Sequence, residues 1–132
     1  MAYVENILKT LGYSNKAIKF YVNKVNVGTW DDANMSFGYT GPCGDTMELF
    51  LRVDDHTIQD AKFQAIGCEG AFICGSAITE MIKGHTLEHA ENIEREQIIE
   101  YLQGLPEAKH DCACLAVKTL LKTLKEFREN HP

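Results

Sequence analysis

A block of strand-like alternation stands between two blocks of helical periodicity in this chain, and that order limits what it can fold into. From Ala33 to Ile66 the apolar residues have period two. Met35, Phe37 and Tyr39 alternate, Leu49, Leu51 and Val53 alternate again, and Ala61, Phe63 and Ala65 follow an Asp54-Asp55-His56 turn. Beyond Gly67 the period is that of a helix. Ala71, Cys74, Ile78 and Met81 form one stripe closed by Gly84, and Thr86 caps a short further turn. Ile98, Ile99 and Leu102 mark a helix ending at Gly104, and Ala113, Val117, Leu120, Leu124 and Phe127 mark a longer terminal one. Ahead of the strands, Val4, Ile7, Leu8 and Leu11 stop at Gly12, which predicts a helix over residues 3–11. Ser14 caps a second helix carrying Ile18, Val22 and Val25 inward, before a loop from Asn26 to Asp32. Strands gathered in one run and helices in others make an α+β fold. The expectation is a three-stranded antiparallel sheet, two of its strands a hairpin, packed by about five helices.

The 132 residues fit a single domain, 1–132, with a helical segment at 1–25, the sheet at 33–66 and helices at 69–130. No internal repeat or low-complexity tract divides it. With 45% apolar and 24% charged residues the composition is that of a soluble globular protein, not of a disordered chain. A net charge of −6 without a basic stripe argues against nucleic acid as a partner. No apolar run approaches the about 18 residues needed to cross a bilayer, and Glu5, Asn6 and Lys9 interrupt the amino-terminal segment, so neither a membrane span nor a signal peptide is expected.

Five cysteines is an odd count without a secretion signal, which favours reduced thiols in a cytoplasmic protein over a disulfide framework. Cys43 lies in Gly41-Pro42-Cys43-Gly44-Asp45, between two expected strands, where the glycines let the backbone turn sharply beside a bound atom. Cys68 lies where a strand gives way to a helix, and Cys112 near the start of the terminal helix. The positive end of a helix favours thiolate over thiol. The spacing, Cys43-x24-Cys68-x43-Cys112, matches no zinc-finger or ferredoxin rule, so by spacing alone the cysteines read equally well as small core residues. Cys74 falls on the apolar stripe and reads as core. Cys114, two residues from Cys112, lies roughly 200° away around a helix and reads as a packing residue, with a resolving or substitute thiol as the alternative. Asp45 can turn its own loop, or its carboxylate can reach the same ion as Cys43. His56, His85 and His89 read as solvated, and His131 lies in the tail.

In order along the chain, Val27-Gly28, Gly41-Pro42-Cys43-Gly44-Asp45, Asp60-Ala61-Lys62-Phe63, Gly67-Cys68, Thr79-Glu80, Lys83-Gly84 and Leu105-Pro106 through Lys109-x-x-Cys112 resemble the IscU/NifU-type iron–sulfur cluster scaffold family. The match runs from about Asn26 to the terminal helix. The resemblance implies a metal site at one exposed end of the sheet, with Cys43, Cys68, Cys112 and Asp45 as ligands. It implies a [2Fe-2S] cluster built there from iron and the sulfur of a cysteine desulfurase, then passed to acceptor apoproteins, with zinc able to bind at the same place. The persulfide acceptor implied is Cys112. Carbon–sulfur cleavage belongs to the desulfurase, so this chain is expected to be a carrier and not an enzyme, working as a monomer or homodimer. Three thiolates with a carboxylate suit that task, because the harder oxygen exchanges at iron more readily than a fourth thiolate.

Cys74 and Cys114 are additional to the family's usual three cysteines, and the chain departs from the family's motifs at two places. The family's best-known branch has His immediately before the last cysteine, and here Asp111 stands there with His110 one residue earlier, so the further ligand is Asp111 or His110. That branch also carries Leu-Pro-Pro-Val-Lys, read by a dedicated DnaK-type chaperone, whereas this chain has Leu105-Pro106-Glu107-Ala108-Lys109, and chaperone-assisted release is not implied. Two rival functions stand beside the scaffold: a zinc-holding sulfur acceptor of the same fold, and a thiol enzyme with Cys112 as nucleophile and His110 as base.

Overall fold

The computed structural model describes residues 2–131; residues 1 and 132 lie outside it. Helix α1, Ala2–Thr10, ends where Gly12 adopts a φ of +96° that an L side chain rarely takes. Ser14 caps α2, Asn15–Val22, by accepting the Ala17 N–H at 3.0 Å, and its own hydroxyl donates to the Leu102 carbonyl, which ties this corner to the far end of the chain.

Strands β1 (Met35–Thr40), β2 (Thr46–Asp54) and β3 (Thr57–Ile66) form one antiparallel sheet in the order β1-β2-β3. This is the fold class that the alternating periods predict. Met47, Leu49 and Leu51 of β2 and Ile58, Ala61 and Phe63 of β3 are fully buried on the helix-covered face. The expected inward place of Val53 is not realised. A bulge between Arg52 and Val53 breaks the alternation, and Val53 is only half-buried. The loop after α2 also does more than connect. Gly28 N–H donates to the Phe63 carbonyl at 2.9 Å and Phe63 N–H to that of Asn26 at 3.0 Å, so the segment pairs parallel to β3 and covers its edge.

The described residues form six α-helices, one more than the expected five, the short α4 (Leu87–Glu91) accounting for the difference; α3 and α6 lie on the sheet and the others pack on helices. Thr86 caps α4 through the His89 N–H. Helix α3, Glu69–Ile82, is buried from Gly70 through Thr79 except at the half-buried Phe72, so its inward surface is far wider than the expected stripe; the sheet, α2, α5 and α6 surround it. It sits so close to β3 that a Cβ on Gly75 would stand 2.3 Å from the Phe63 ring. Helix α5 is Arg95–Tyr101, and a 3-10 turn, Glu107–Lys109, leads directly into α6, His110–Asn130, which lies across β1 and β2. Among the described residues, no helix is long and apolar enough to cross a membrane.

Candidate metal centre

Three chain reversals meet at one end of the sheet: the β1–β2 turn, the β3–α3 junction and the start of α6. Strand pairing sets the first two against each other. Thr46 lies opposite Ile66, which places Asp45 beside Gly67 and Cys68. A Cβ on Gly67 would stand 2.5 Å from the Asp45 carboxyl carbon, so only glycine leaves room for that carboxylate. Asp45 Oδ2 accepts both the Cys68 N–H and the Cys68 thiol, each at 3.4 Å. Cys68 is the N-cap of α3, in extended conformation, and its side chain makes no cap hydrogen bond, which leaves the sulfur facing across to α6. There it meets Cys112 Sγ at 3.6 Å, far beyond the about 2 Å of a disulfide. Gly70 makes this approach possible, since a Cβ there would lie 2.9 Å from Cys112 Sγ.

Donor atoms of Asp45, Cys68 and Cys112 thus all lie within 4.8 Å of one another. The donor set fits a soft or borderline metal. With metal–sulfur bonds of about 2.3 Å, two corners of a tetrahedron are about 3.8 Å apart, close to the observed sulfur–sulfur distance. A sulfur and an oxygen corner come out at about 3.5 Å.

The electrostatics reverse one expectation. Burial, then the hydrogen bond and charge of Cys68, push the Cys112 thiol up from the ordinary 9.0 to about 12, so the α6 amino terminus does not suffice to make it a thiolate. The nearest counter-charge is Lys109. Its ammonium sits 3.5 Å from Glu69 Oε2; burial alone would lower its pKa, but the Cys68 sulfur and the Glu69 carboxylate outweigh that and hold it above the usual lysine value.

The other candidates fall elsewhere. Cys43 is exposed and outside the donor group; it lines a separate cavity of about 180 Å³ with Tyr39, Asp111, Cys114, Leu115 and Lys118. Asp111 is therefore on the Cys43 side of α6. His110 Nε2 lies 3.0 Å from the Leu105 carbonyl oxygen, which occupies one ring nitrogen. Cys114 takes a hydrogen bond from Arg95 Nη1 at 3.6 Å. Cys74 is fully buried in the core, where burial pushes its thiol well up. His56, His85 and His89 are exposed, the last two with rings stacked 4.2 Å apart.

Sequence reasoning missed four contributors. Gly67 and Gly70 had only local meaning until register and helix docking placed a side chain against each. Lys109 was read only as part of a motif. Tyr13, near-fully buried, has a hydroxyl without a hydrogen-bond partner, and burial, then Glu69, Cys68 and Cys112, raise its pKa. Nothing in its mostly polar neighbourhood in the sequence, Thr10 to Lys16, signals that placement.

Comparisons with known proteins point to one place. The family model described as NifU-like N terminal domain matches residues 12–132. The iron-sulfur cluster assembly scaffold protein IscU of Haemophilus influenzae is 41% identical over 123 residues, which span 89% of this chain and 97% of that protein. The scaffold protein IscU 1 of Archaeoglobus fulgidus is 40% identical over 120 residues, spanning 89% of this chain and 78% of its own. Among solved structures, the N-terminal part of a nitrogen-fixing NifU-like protein from Brucella abortus superposes with a TM-score of 0.69 at 16% identity, covering 88% of this chain and 94% of that one.

Proposed function

The chain belongs to the NifU-like N-terminal domain family, and on that premise we propose that it is a scaffold for iron–sulfur cluster assembly whose cargo, a [2Fe-2S] cluster, is held by Cys68, Cys112, Asp45 and Cys43. The observation that supports this most directly is the Asp45, Cys68 and Cys112 donor group, set at tetrahedral spacing where three reversals meet. Cys43, on the exposed β1–β2 turn, is the thiol that swings in to complete the set.

Each residue has a task that its surroundings support. Asp45 Oδ2 accepts the Cys68 thiol proton, so it is placed to take that proton as sulfur gives way to metal. Lys109 offsets the negative charge that accumulates as thiols become thiolates. The carboxylate makes the set less tenacious than four cysteines, as suits cargo that must leave for an acceptor apoprotein. Sulfur comes from a cysteine desulfurase partner, which performs the bond cleavage, and a reducing compartment such as the cytoplasm keeps the thiols free.

A second reading has support of its own. The same three donors suit a single tetrahedral Zn²⁺, so a zinc-holding sulfur acceptor shares this geometry. A thiol enzyme does not fit as well, because Cys112 is 5% exposed and His110 is engaged by the Leu105 carbonyl. Anaerobic reconstitution with iron and sulfide, read by visible absorption and Mössbauer spectra, separates the first two. The expected result is a [2Fe-2S] signature in the wild type, lost in Cys68→Ser. Retention of only zinc after reconstitution, or an unchanged cluster in Cys68→Ser, would count against the scaffold assignment.

A further inference from the structure

Cys43 and Cys114 line the same cavity, and neither belongs to the three-residue donor group. The β1–β2 turn rests on α6 beside Cys114. The point where a Cβ would stand on Gly41 lies 4.0 Å from Cys43 Sγ and 3.2 Å from Leu115 Cδ1, and Leu115 follows Cys114 in α6. Pro42, Cys43 and Gly44 are exposed, and a Cβ on Gly44 would meet nothing within 4 Å, so the turn has open space in which to carry its thiol. Cys114 is half-buried, and Arg95 donates to its sulfur. Lys118 lines the cavity beside both thiols and supplies a cation.

We infer that Cys43 and Cys114 form a sulfide-releasing thiol pair, in which a sulfur atom accepted as a persulfide on Cys43 leaves as hydrosulfide when Cys114 attacks. The persulfide reads Cys43-S-S-H. The Cys114 sulfur attacks Cys43 Sγ; the bond from Cys43 Sγ to the outer sulfur breaks as the Cys43–Cys114 disulfide forms. The outer sulfur departs with the electron pair of the broken bond and takes up the Cys114 thiol proton, so one H₂S leaves for each disulfide made. The sulfur that arrived in the sulfane state is now sulfide, the form a cluster needs, and its two electrons are those lost by the two thiols. A dithiol reductant then reopens the pair and frees Cys43 for the metal. Access favours Cys43 for this step, since the Cys112 sulfur is enclosed by α3 and Gly70. An attack on the outer sulfur instead would only move the persulfide to Cys114 and release nothing.

This pair rests on the scaffold reading for its sulfur donor, yet it is tested without metal. The reduced, metal-free full chain is mixed anaerobically with one equivalent of glutathione persulfide, then alkylated, digested and examined by mass spectrometry while sulfide is assayed in the gas phase. The expected result is a Cys43–Cys114 linked peptide together with an equivalent of sulfide. Cys114→Ser and Cys114→Ala should both lose sulfide release and leave Cys43 heavier by one sulfur atom. Undiminished release from both variants, a link from Cys43 to Cys68 or Cys112, or a persulfide on Cys114 without a disulfide would overturn the inference. Cluster assembly from inorganic sulfide bypasses this step, so a missing disulfide leaves the scaffold reading standing. A disulfide formed by a chain that takes up no cluster has the opposite consequence.

Discussion

Asp45 touches Cys68 at both its N–H and its thiol, and it can do so only because residue 67 has no side chain. On the scaffold proposal that single carboxylate is a donor for the metal, and in the structure it is a hydrogen-bond acceptor for its neighbour and a brace on the α3 cap. Asp45→Ala should leave the two thiols in place, since neither is positioned by the carboxylate alone, but it removes the hard ligand through which iron exchanges. The expected outcome is a longer-lived cluster and transfer to an acceptor apoprotein slowed by about tenfold or more, within the range seen when a partner of a metal site is lost. Transfer followed by acceptor circular dichroism would check it, and unchanged kinetics would remove Asp45 from the release step. Asp45 and Cys68 could be suspected from the sequence because each stands in a local motif with glycine. What Gly67 and Gly70 do was not legible there, because the atoms they make room for belong to residues brought near by strand register and by the docking of α6. The helix-end argument for a Cys112 thiolate failed for a related reason. It counts the field of one helix and omits burial and the second sulfur, which win.

At the scale of elements, α3 decides the geometry, since its N-cap is Cys68, its first turn carries Gly70 and its middle is pressed onto β3 at Gly75. Its apolar period was visible in the sequence, but a helix surrounded on nearly every side has no polar face to define a stripe, so Ala71, Cys74 and Ile78 marked only part of what is buried. Two opposing effects bear on Gly75→Ala. Helix propensity favours alanine by about 1 kcal/mol. Against it, a methyl 2.3 Å from the Phe63 ring must displace a fully buried side chain, and such overpacking costs about 1–3 kcal/mol. With a side chain fully buried in the core to displace, the clash should win, so urea denaturation is expected to show net destabilisation of up to about 2 kcal/mol. Any shift of α3 away from β3 also moves Cys68 relative to Cys112, so zinc affinity should fall together with stability. A variant more stable than wild type would show that the helix has slack at this contact. The strands were more legible than α3 because alternation reads a face directly. It failed only at Val53, where the bulge resets the face, and at residues 26–28, whose pairing with β3 is backbone-borne and leaves no mark on side-chain pattern.

Across the whole molecule, the donor set is drawn from residues 45, 68 and 112, so it exists only when the sheet, α3 and α6 are assembled together. Metal binding must then stabilise the fold. At a free zinc concentration of about 100 times Kd the gain is about 2.7 kcal/mol. For a chain of this size that corresponds to a melting temperature higher by about 10 °C. The same coupling sets the pH dependence. Without metal, Cys112 stays protonated in the folded chain up to about pH 12, while in the unfolded chain it loses its proton near the ordinary 9.0. Between those values the unfolded state binds fewer protons, so stability of the metal-free chain falls as pH rises through that window and is unaffected below it. Metal reverses the sign, because binding requires the thiol protons to leave and is therefore favoured by higher pH, about tenfold per pH unit for each proton released. Melting curves with and without zinc, taken from pH 6 to pH 10, should diverge as pH rises: the zinc-loaded chain gains while the metal-free chain begins to lose above about pH 9. In Cys112→Ser the share of the alkaline loss carried by Cys112 should disappear along with most of the zinc-induced rise, while the share carried by the buried Cys74 thiol, which burial also pushes well up, remains. A zinc-dependent rise that is flat across that range would mean that the thiols are already ionised in the metal-free fold, and that Lys109 and the α6 amino terminus outweigh burial after all.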